Sequence, residues 1–390
     1  MSPLAEWVFW GCAGMTLYSY AGYPVLLALW GSLRAVKEKE EDGTAVDAPL
    51  PRLSLIVPAY NEEQVIARKI RNSLELDYPE ELLEIVVVSD GSNDATESAA
   101  KAAAGGRVRL VFLENRRGKT ACLNAVLPDL RGEILVFTDA NAYFRADALR
   151  SLVRRFQDPR IGCVMGQLEY FREGPLNASL GEGLYWRYEN FIKDRESRLG
   201  STIVGNGAIY AMRRALCATL PERVEADVAN PLLALRAGYR VVFERTARCQ
   251  ERAASTVREE FSRKTRIITN QITTYLHGWR SLSPLPAMAL FQILSHKVLR
   301  WMVPFFLAGV FVSCLAGGGG PFWSTLLGLQ ALFYGMALAG WILESRGRSL
   351  PKQIFLSYYF CAVNAAAVKG IADFLRGRHP VVWEKAASTR

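Results

Sequence analysis

Four short stretches put acidic, amide and basic side chains at spacings that could hold a phosphorylated ligand or a hard cation. Pro58-Ala59-Tyr60-Asn61-Glu62-Glu63, Ser89-Asp90-Gly91-Ser92-Asn93-Asp94 and Asp139-Ala140-Asn141 each follow an apolar run, and Asn115-Arg116-Arg117-Gly118-Lys119 opens a helical stretch. Taken singly, each is also an ordinary turn, since Asp, Asn, Gly and Ser all favour turns. The other reading is a metal or nucleotide site, because open α/β sheets bind ligands beyond the carboxyl ends of their strands. A helix start carrying Gly118 and Lys119 suits phosphate oxygens, although the spacing is not that of a P-loop. His277, His296 and His379 are scattered without ligand spacing, which argues against a zinc site.

The elements that must position these residues alternate. Apolar runs at 53–57, 83–88, 108–113, 134–137, 161–165 and 241–243 read as strands. Helical patterns run over 62–76, 94–104 (with Asp94 as cap), 120–130, up to about 156, 180–198 and 257–275. Such alternation predicts a parallel, doubly wound sheet. Every candidate stretch then lies where a strand ends.

Outside this region the chain is apolar. The mean hydropathy is +0.07 although 22% of residues are charged, so the apolar residues are concentrated. Runs 8–33, 301–316, 322–343 and 354–368 are candidate membrane helices, about 20 apolar residues sufficing to cross a bilayer. Before the first run stands only Glu6, with no basic region, so it is expected to be a retained anchor rather than a cleaved signal. Arg34, Lys37 and Lys39 follow it, which orients residue 34 onward to the cytoplasm. The segment 284–294, followed by His296, Lys297 and Arg300, is expected to lie in the interface. Runs 301–316 and 322–343 form a hairpin around Gly317 to Gly320; the last run either crosses or lies flat. The net charge of +9 suits anionic lipid headgroups, and no nucleic-acid motif accompanies it. Seven cysteines without a CxxC pair fit a reduced environment. The expected division is a membrane helix (1–33), a linker (34–50), a cytoplasmic α/β domain (51–280), an interfacial helix (281–297), a membrane region of two or three helices (298–371) and a tail (372–390).

The ordered set at the strand ends, with flanking membrane runs, resembles the membrane-embedded family 2 glycosyltransferases, the group of the cellulose, hyaluronan, chitin and poly-N-acetylglucosamine synthases. The resemblance covers about residues 50 to 280. It implies a GT-A fold, an α/β, doubly wound, Rossmann-like nucleotide-sugar domain flanked by transmembrane α-helices. It further implies an inverting, metal-dependent enzyme of the bacterial inner membrane. Such an enzyme carries a sugar from a nucleotide-diphosphate donor of UDP-sugar type to a growing cell-envelope or extracellular polysaccharide.

By the same resemblance, Pro58, Ala59, Tyr60 and Glu62 would line the nucleotide pocket, and Asp90 would accept from a uracil-type imide. Lys119 would approach the diphosphate, and Asp139 and Asn141, in the Asp-x-Asp position, would hold Mg2+ or Mn2+. With a single charge, that pair is expected to take its metal together with the donor. Glu225-Ala226-Asp227 stands in the place of a Thr-Glu-Asp motif, with Asp227 as general base. Gly205 and Asn206 would face the acceptor. Arg263-Lys264-Thr265-Arg266-Ile267 stands for Gln-x-x-Arg-Trp, with Arg266 on the leaving diphosphate and Arg263 toward the acceptor. Ile267 replaces the stacking Trp, which points to the alternative of a single transfer to a lipid or lipid-linked acceptor. A non-catalytic membrane scaffold or transporter subunit is the rival from another class.

Overall fold

A computed structural model describes residues 2–33, 49–171, 177–254, 256–281, 285–317 and 320–378. The linker residues 34–48 with Arg34, Lys37 and Lys39, Pro284, Gly318, Gly319, His379 and the tail from 379 lie outside the described residues, as does the side chain of His277.

The centre of the chain is one eight-stranded sheet in the order β3-β2-β1-β4-β7-β6-β8-β5. The strands are β1 (Leu53–Ala59), β2 (Leu83–Asp90), β3 (Val108–Leu113), β4 (Ile134–Thr138), β5 (Tyr143–Phe144), β6 (Ile161–Phe171), β7 (Ile209–Arg213) and β8 (Arg240–Arg252). Side chains alternate across a strand, and here both faces are covered. Leu55, Val57, Ile85 and Val87 join Ile66 and Ile70 in one core. Ile56, Val86, Leu135 and Phe137 join Leu123 and Leu232 in the other.

The first four strands in this order are parallel, as the alternation predicts. The sheet as a whole is mixed, because β7 enters antiparallel between β4 and β6. The sequence pattern misses β7: Ile209-Tyr210-Ala211-Met212 is short, and all four residues are buried, so no period shows. Strand β1 continues through Pro58, whose only ladder partner is Val88 on β2, since β4 leaves β1 at Ile56. A proline is tolerated where one side of the strand is unpaired. The helix expected over 62–76 is shorter, Ile66–Leu74. Asn61 has φ 50° and Glu62 O caps the turn, accepting from Val65 N and Ile66 N at 3.0 and 2.9 Å.

Among the described residues three helices are long and apolar enough to cross a membrane, Ala287–Leu315, Pro321–Ser345 and Lys352–Leu375. The first runs without a break through the 287–297 stretch expected as a separate interfacial helix, by way of a π-helical segment, Ile293–Val298. The N-terminal run is helical over Pro3–Leu17, Tyr18–Gly22 and Tyr23–Leu33. It is not among the three, because Tyr18, Ser19, Tyr20, Tyr23 and Pro24 at its centre lower its hydropathy. It nonetheless packs against them, with the Phe9 ring 4.9 Å from that of Trp323.

Candidate active site

Parallel strands β1, β2 and β4 end together, so Ala59, Asp90 and Asp139 arrive at one edge of the sheet. The antiparallel β7 starts where they end, since Thr138 pairs with Ile209. Its preceding loop, 205–208, therefore reaches the same edge.

The first two strand ends are laced to each other. Asn61 Nδ2 donates to Asn93 Oδ1 (2.6 Å), and Asn93 N donates to Asn61 Oδ1 (3.0 Å). Buried Glu62 donates its backbone N–H to Thr96 Oγ1 at 2.7 Å. Pro58 and Ala59 are buried in β1, and the Arg116 guanidinium lies 3.7 Å from the centre of the Tyr60 ring. Asp90 is fully buried and accepts the backbone N–H groups of Arg117 and Gly118, each at 2.8 Å. Those two residues precede the helix Lys119–Val126, so Asp90 fixes where that helix starts and hence where Lys119 points.

Lys119 Nζ donates to Asp139 Oδ1 at 2.7 Å and to Gly207 O at 3.4 Å. A methyl group on Gly207 would stand 2.6 Å from Lys119 Nζ, 3.1 Å from Asp227 Oδ2 and 3.5 Å from Asp139 Oδ2. Lysine, two carboxylates and a glycine backbone thus converge on one point. Gly205 is required by the same packing, since a Cβ there would fall 1.5 Å from Asp227 O. Asn206 is buried beside it and accepts from Ala208 N at 3.1 Å. Burial alone would lower the Lys119 pKa, but Asp139 and Asp227 outweigh it and hold the ammonium above its usual range.

Asp227 lies in the first turn of the helix Ala226–Arg236, and burial, with Asp139 nearby, raises its pKa against the pull of Lys119. Its neighbour Glu225 is pushed up to about 8 by burial and by Asp227. The helix Val257–Ser281 meets this pair with one face. Asn270 Nδ2 donates to Glu225 Oε1 at 3.0 Å, Thr274 Oγ1 accepts from Glu225 N at 3.0 Å, and the Arg266 charge acts on Glu225. Spacing of four residues puts Arg266, Asn270 and Thr274 in one row. Arg263 points elsewhere, pairing with Glu260 at 2.7 Å and donating to Tyr170 Oη at 2.6 Å. Sequence reasoning missed Asn270 and Thr274 as site residues, and undervalued Glu225 and Gly207. The four-residue spacing downstream of Arg266 was the available signal.

Asn141 is buried and donates Nδ2 to Glu251 Oε1 on β8 at 2.8 Å. That bond commits the amide nitrogen to the protein. Asp139 and Asn141 thus offer a carboxylate and an amide oxygen, a hard-donor pair that fits Mg2+ or Mn2+ when phosphates and water supply the remaining ligands. Among the described residues no group of three or more His, Cys, Asp or Glu could hold a metal without such help.

The family described as Glycosyl transferase family 2 matches residues 54–220. An N-acetylglucosaminyltransferase of Rhizobium leguminosarum bv. trifolii is 30% identical over 162 residues, 40% of this chain and 85% of that protein. An N-acetylglucosaminyltransferase of Rhizobium meliloti (strain 1021) is 26% identical over 245 residues, 57% of each chain. A beta-monoglucosyldiacylglycerol synthase of Trichormus variabilis is 36% identical over 131 residues, 33% of this chain and 27% of that one. The chain therefore spans 57% of the length of the second of these relatives and 27% of the third. A mannosyltransferase of Pyrobaculum calidifontis, solved with GDP-Man and Mn2+, shares the fold at a TM-score of 0.71, with 24% identity over 94% of this chain and 98% of that one.

Proposed function

The chain belongs to glycosyl transferase family 2, and on that premise we propose that it is an inverting, metal-dependent membrane glycosyltransferase. It moves a sugar from a nucleotide-diphosphate donor to a growing cell-envelope or extracellular polysaccharide. The observation that carries this reading is the convergence of Lys119, Asp139 and Asp227 on Gly207. A diphosphate needs positive charge, and an attacking hydroxyl needs a carboxylate. Here both stand around one buried glycine, Gly207.

In the reaction the acceptor oxygen attacks the anomeric carbon as the bond to the donor phosphate breaks, and the acceptor proton passes to Asp227. Raised basicity suits that role, because a carboxylate lifted by burial holds a proton better than a free one. Lys119 and Arg266 receive the charge growing on the leaving diphosphate. Asp139 and Asn141 would hold Mg2+ or Mn2+, which when bound neutralises the donor diphosphate. Tyr60 and Asp90, with Pro58, Ala59 and Glu62, take the nucleoside end, and UDP-sugars are the expected donors. Gly205 and Asn206 face the acceptor, whereas Arg263 is held away from it by Glu260 and Tyr170. The three apolar helices seat the enzyme in the membrane, with the sheet domain on the cytoplasmic face.

A second reading is favoured by Ile267 in place of a stacking Trp and by a relative named for a diacylglycerol product: one sugar transferred to a lipid or lipid-linked acceptor. Incubation of the purified protein with a panel of radiolabelled nucleotide sugars tests both readings. Polymer on a gel supports the first, a single added sugar the second, and no nucleoside diphosphate released from any donor overturns the enzyme assignment.

A further inference from the structure

We propose that Lys69 is a positioning residue of the metal–diphosphate site, clamping both ends of the Asp139-Ala140-Asn141 segment and so fixing the separation of its two oxygen ligands. Lys69 lies in the helix Ile66–Leu74, on the stripe that also buries Ile66, Ile70 and Ser73. An amphipathic helix fills such a stripe with apolar side chains, yet this position carries a lysine with no exposed surface. Its Nζ donates to Thr138 Oγ1 at 2.9 Å, just before Asp139, and to Ala142 O, just after Asn141. The Phe144 ring covers it, with the centroid 4.3 Å away.

The grip extends in two directions. Thr138 Oγ1 passes its own proton to Ala208 O at 2.9 Å, tying the segment to the 205–208 loop. One helical turn beyond Lys69, Asn72 exchanges two 2.8 Å hydrogen bonds with the backbone of Phe144. Ala142 N closes the segment on Asp139 O at 3.2 Å. The two ligand residues therefore sit in a tight turn whose entry and exit are held by one side chain.

Stability alone does not account for this placement. Burying a lysine with no paired charge is costly to the fold, and among the described residues no carboxylate bonds to Lys69. A methionine would fill the same space without desolvation. Residues behind metal ligands that set their orientation are the places where such a cost is retained.

The inference rests on the metal–diphosphate reading above, and the test separates the two. The full-length protein in detergent is titrated with UDP and with GDP, each with and without Mn2+, as wild type and as Lys69→Met. The variant is expected to keep or raise its thermal midpoint and to lose about tenfold in Mn2+-dependent nucleotide affinity. Its Mn2+-free affinity should change less than about twofold on the same argument. Where Lys69→Met does not fold, Thr138→Val removes one of the two Lys69 bonds, together with the bond from Thr138 to Ala208 O, and leaves Lys69 in place; the same split is expected. Unchanged Mn2+-dependent affinity in the variant overturns the role of Lys69 alone. A wild type in which Mn2+ strengthens neither nucleotide overturns the underlying reading and the inference with it.

Discussion

Asp139 Oδ1 accepts a 2.7 Å hydrogen bond from Lys119 Nζ, and the same ammonium carries the charge of Asp227. One lysine thus serves the diphosphate side and the base side of the site. Lys119→Met should lower turnover about a hundredfold, the usual cost of one preorganised electrostatic partner. It should also move the acidic limb of the pH profile upward, since Lys119 holds the Asp227 pKa down. Nucleoside diphosphate release measured across pH checks both; a fall in turnover without the shift would separate Lys119 from Asp227.

Gly207→Ala adds a methyl group 2.6 Å from Lys119 Nζ and 3.1 Å from Asp227 Oδ2. The lysine can swing aside, so the fold should survive, with turnover down about tenfold or more, as small misplacements in a site allow. Gly205→Ala is the harsher change, since its neighbour is the Asp227 carbonyl at 1.5 Å and backbone must shift. Circular dichroism and turnover on the pair should rank them in that order.

Glu225 titrates at about 8 in the fold, above an ordinary glutamate, because burial and Asp227 both disfavour its charge. The native state thus binds its proton more tightly than the unfolded chain does. The stability this confers is present at acidic pH and is lost as pH rises through about 8. Glu225→Gln stays neutral throughout, so its thermal midpoint should gain on wild type from about pH 5 to about pH 9. A difference independent of pH would contradict the shifted titration.

Much of this arrangement is legible in the sequence because parallel strands impose it. Once 53–57, 83–88 and 134–137 read as adjacent buried strands, Asp90 and Asp139 must share an edge. Antiparallel β7 is not legible, since its four buried residues show no period, and with it goes the reason the 205–208 loop reaches Asp139. Lys69 is hidden for another cause. A lysine in a helix reads as solvent-facing, and only the packed structure reveals that it stands on the buried stripe. Asn270 and Thr274 depend on the Val257–Ser281 helix docking against Glu225, a contact no local pattern encodes.

Asp139 and Asn141 provide one formal charge, and Lys119 already sits on that charge. Mn2+ alone should therefore bind weakly, in the millimolar range, and tighten by about an order of magnitude or more once a nucleoside diphosphate supplies oxygens. Calorimetric titration of Mn2+ with and without UDP measures this. Micromolar binding of the bare ion would show that the protein holds its metal unaided.

The most direct measurement is nucleoside diphosphate release from the accepted sugar donor by wild type, Asp227→Asn and Asp139→Ala, each with Mn2+ and with chelator. Wild type should turn over only with the metal. Asp227→Asn should bind Mn2+ and nucleotide normally yet lose about a thousandfold in acceptor-dependent release, the scale of a general base. Asp139→Ala should lose the metal dependence itself. Release that survives both substitutions unchanged would contradict the assignment of this strand-end cluster as the catalytic centre.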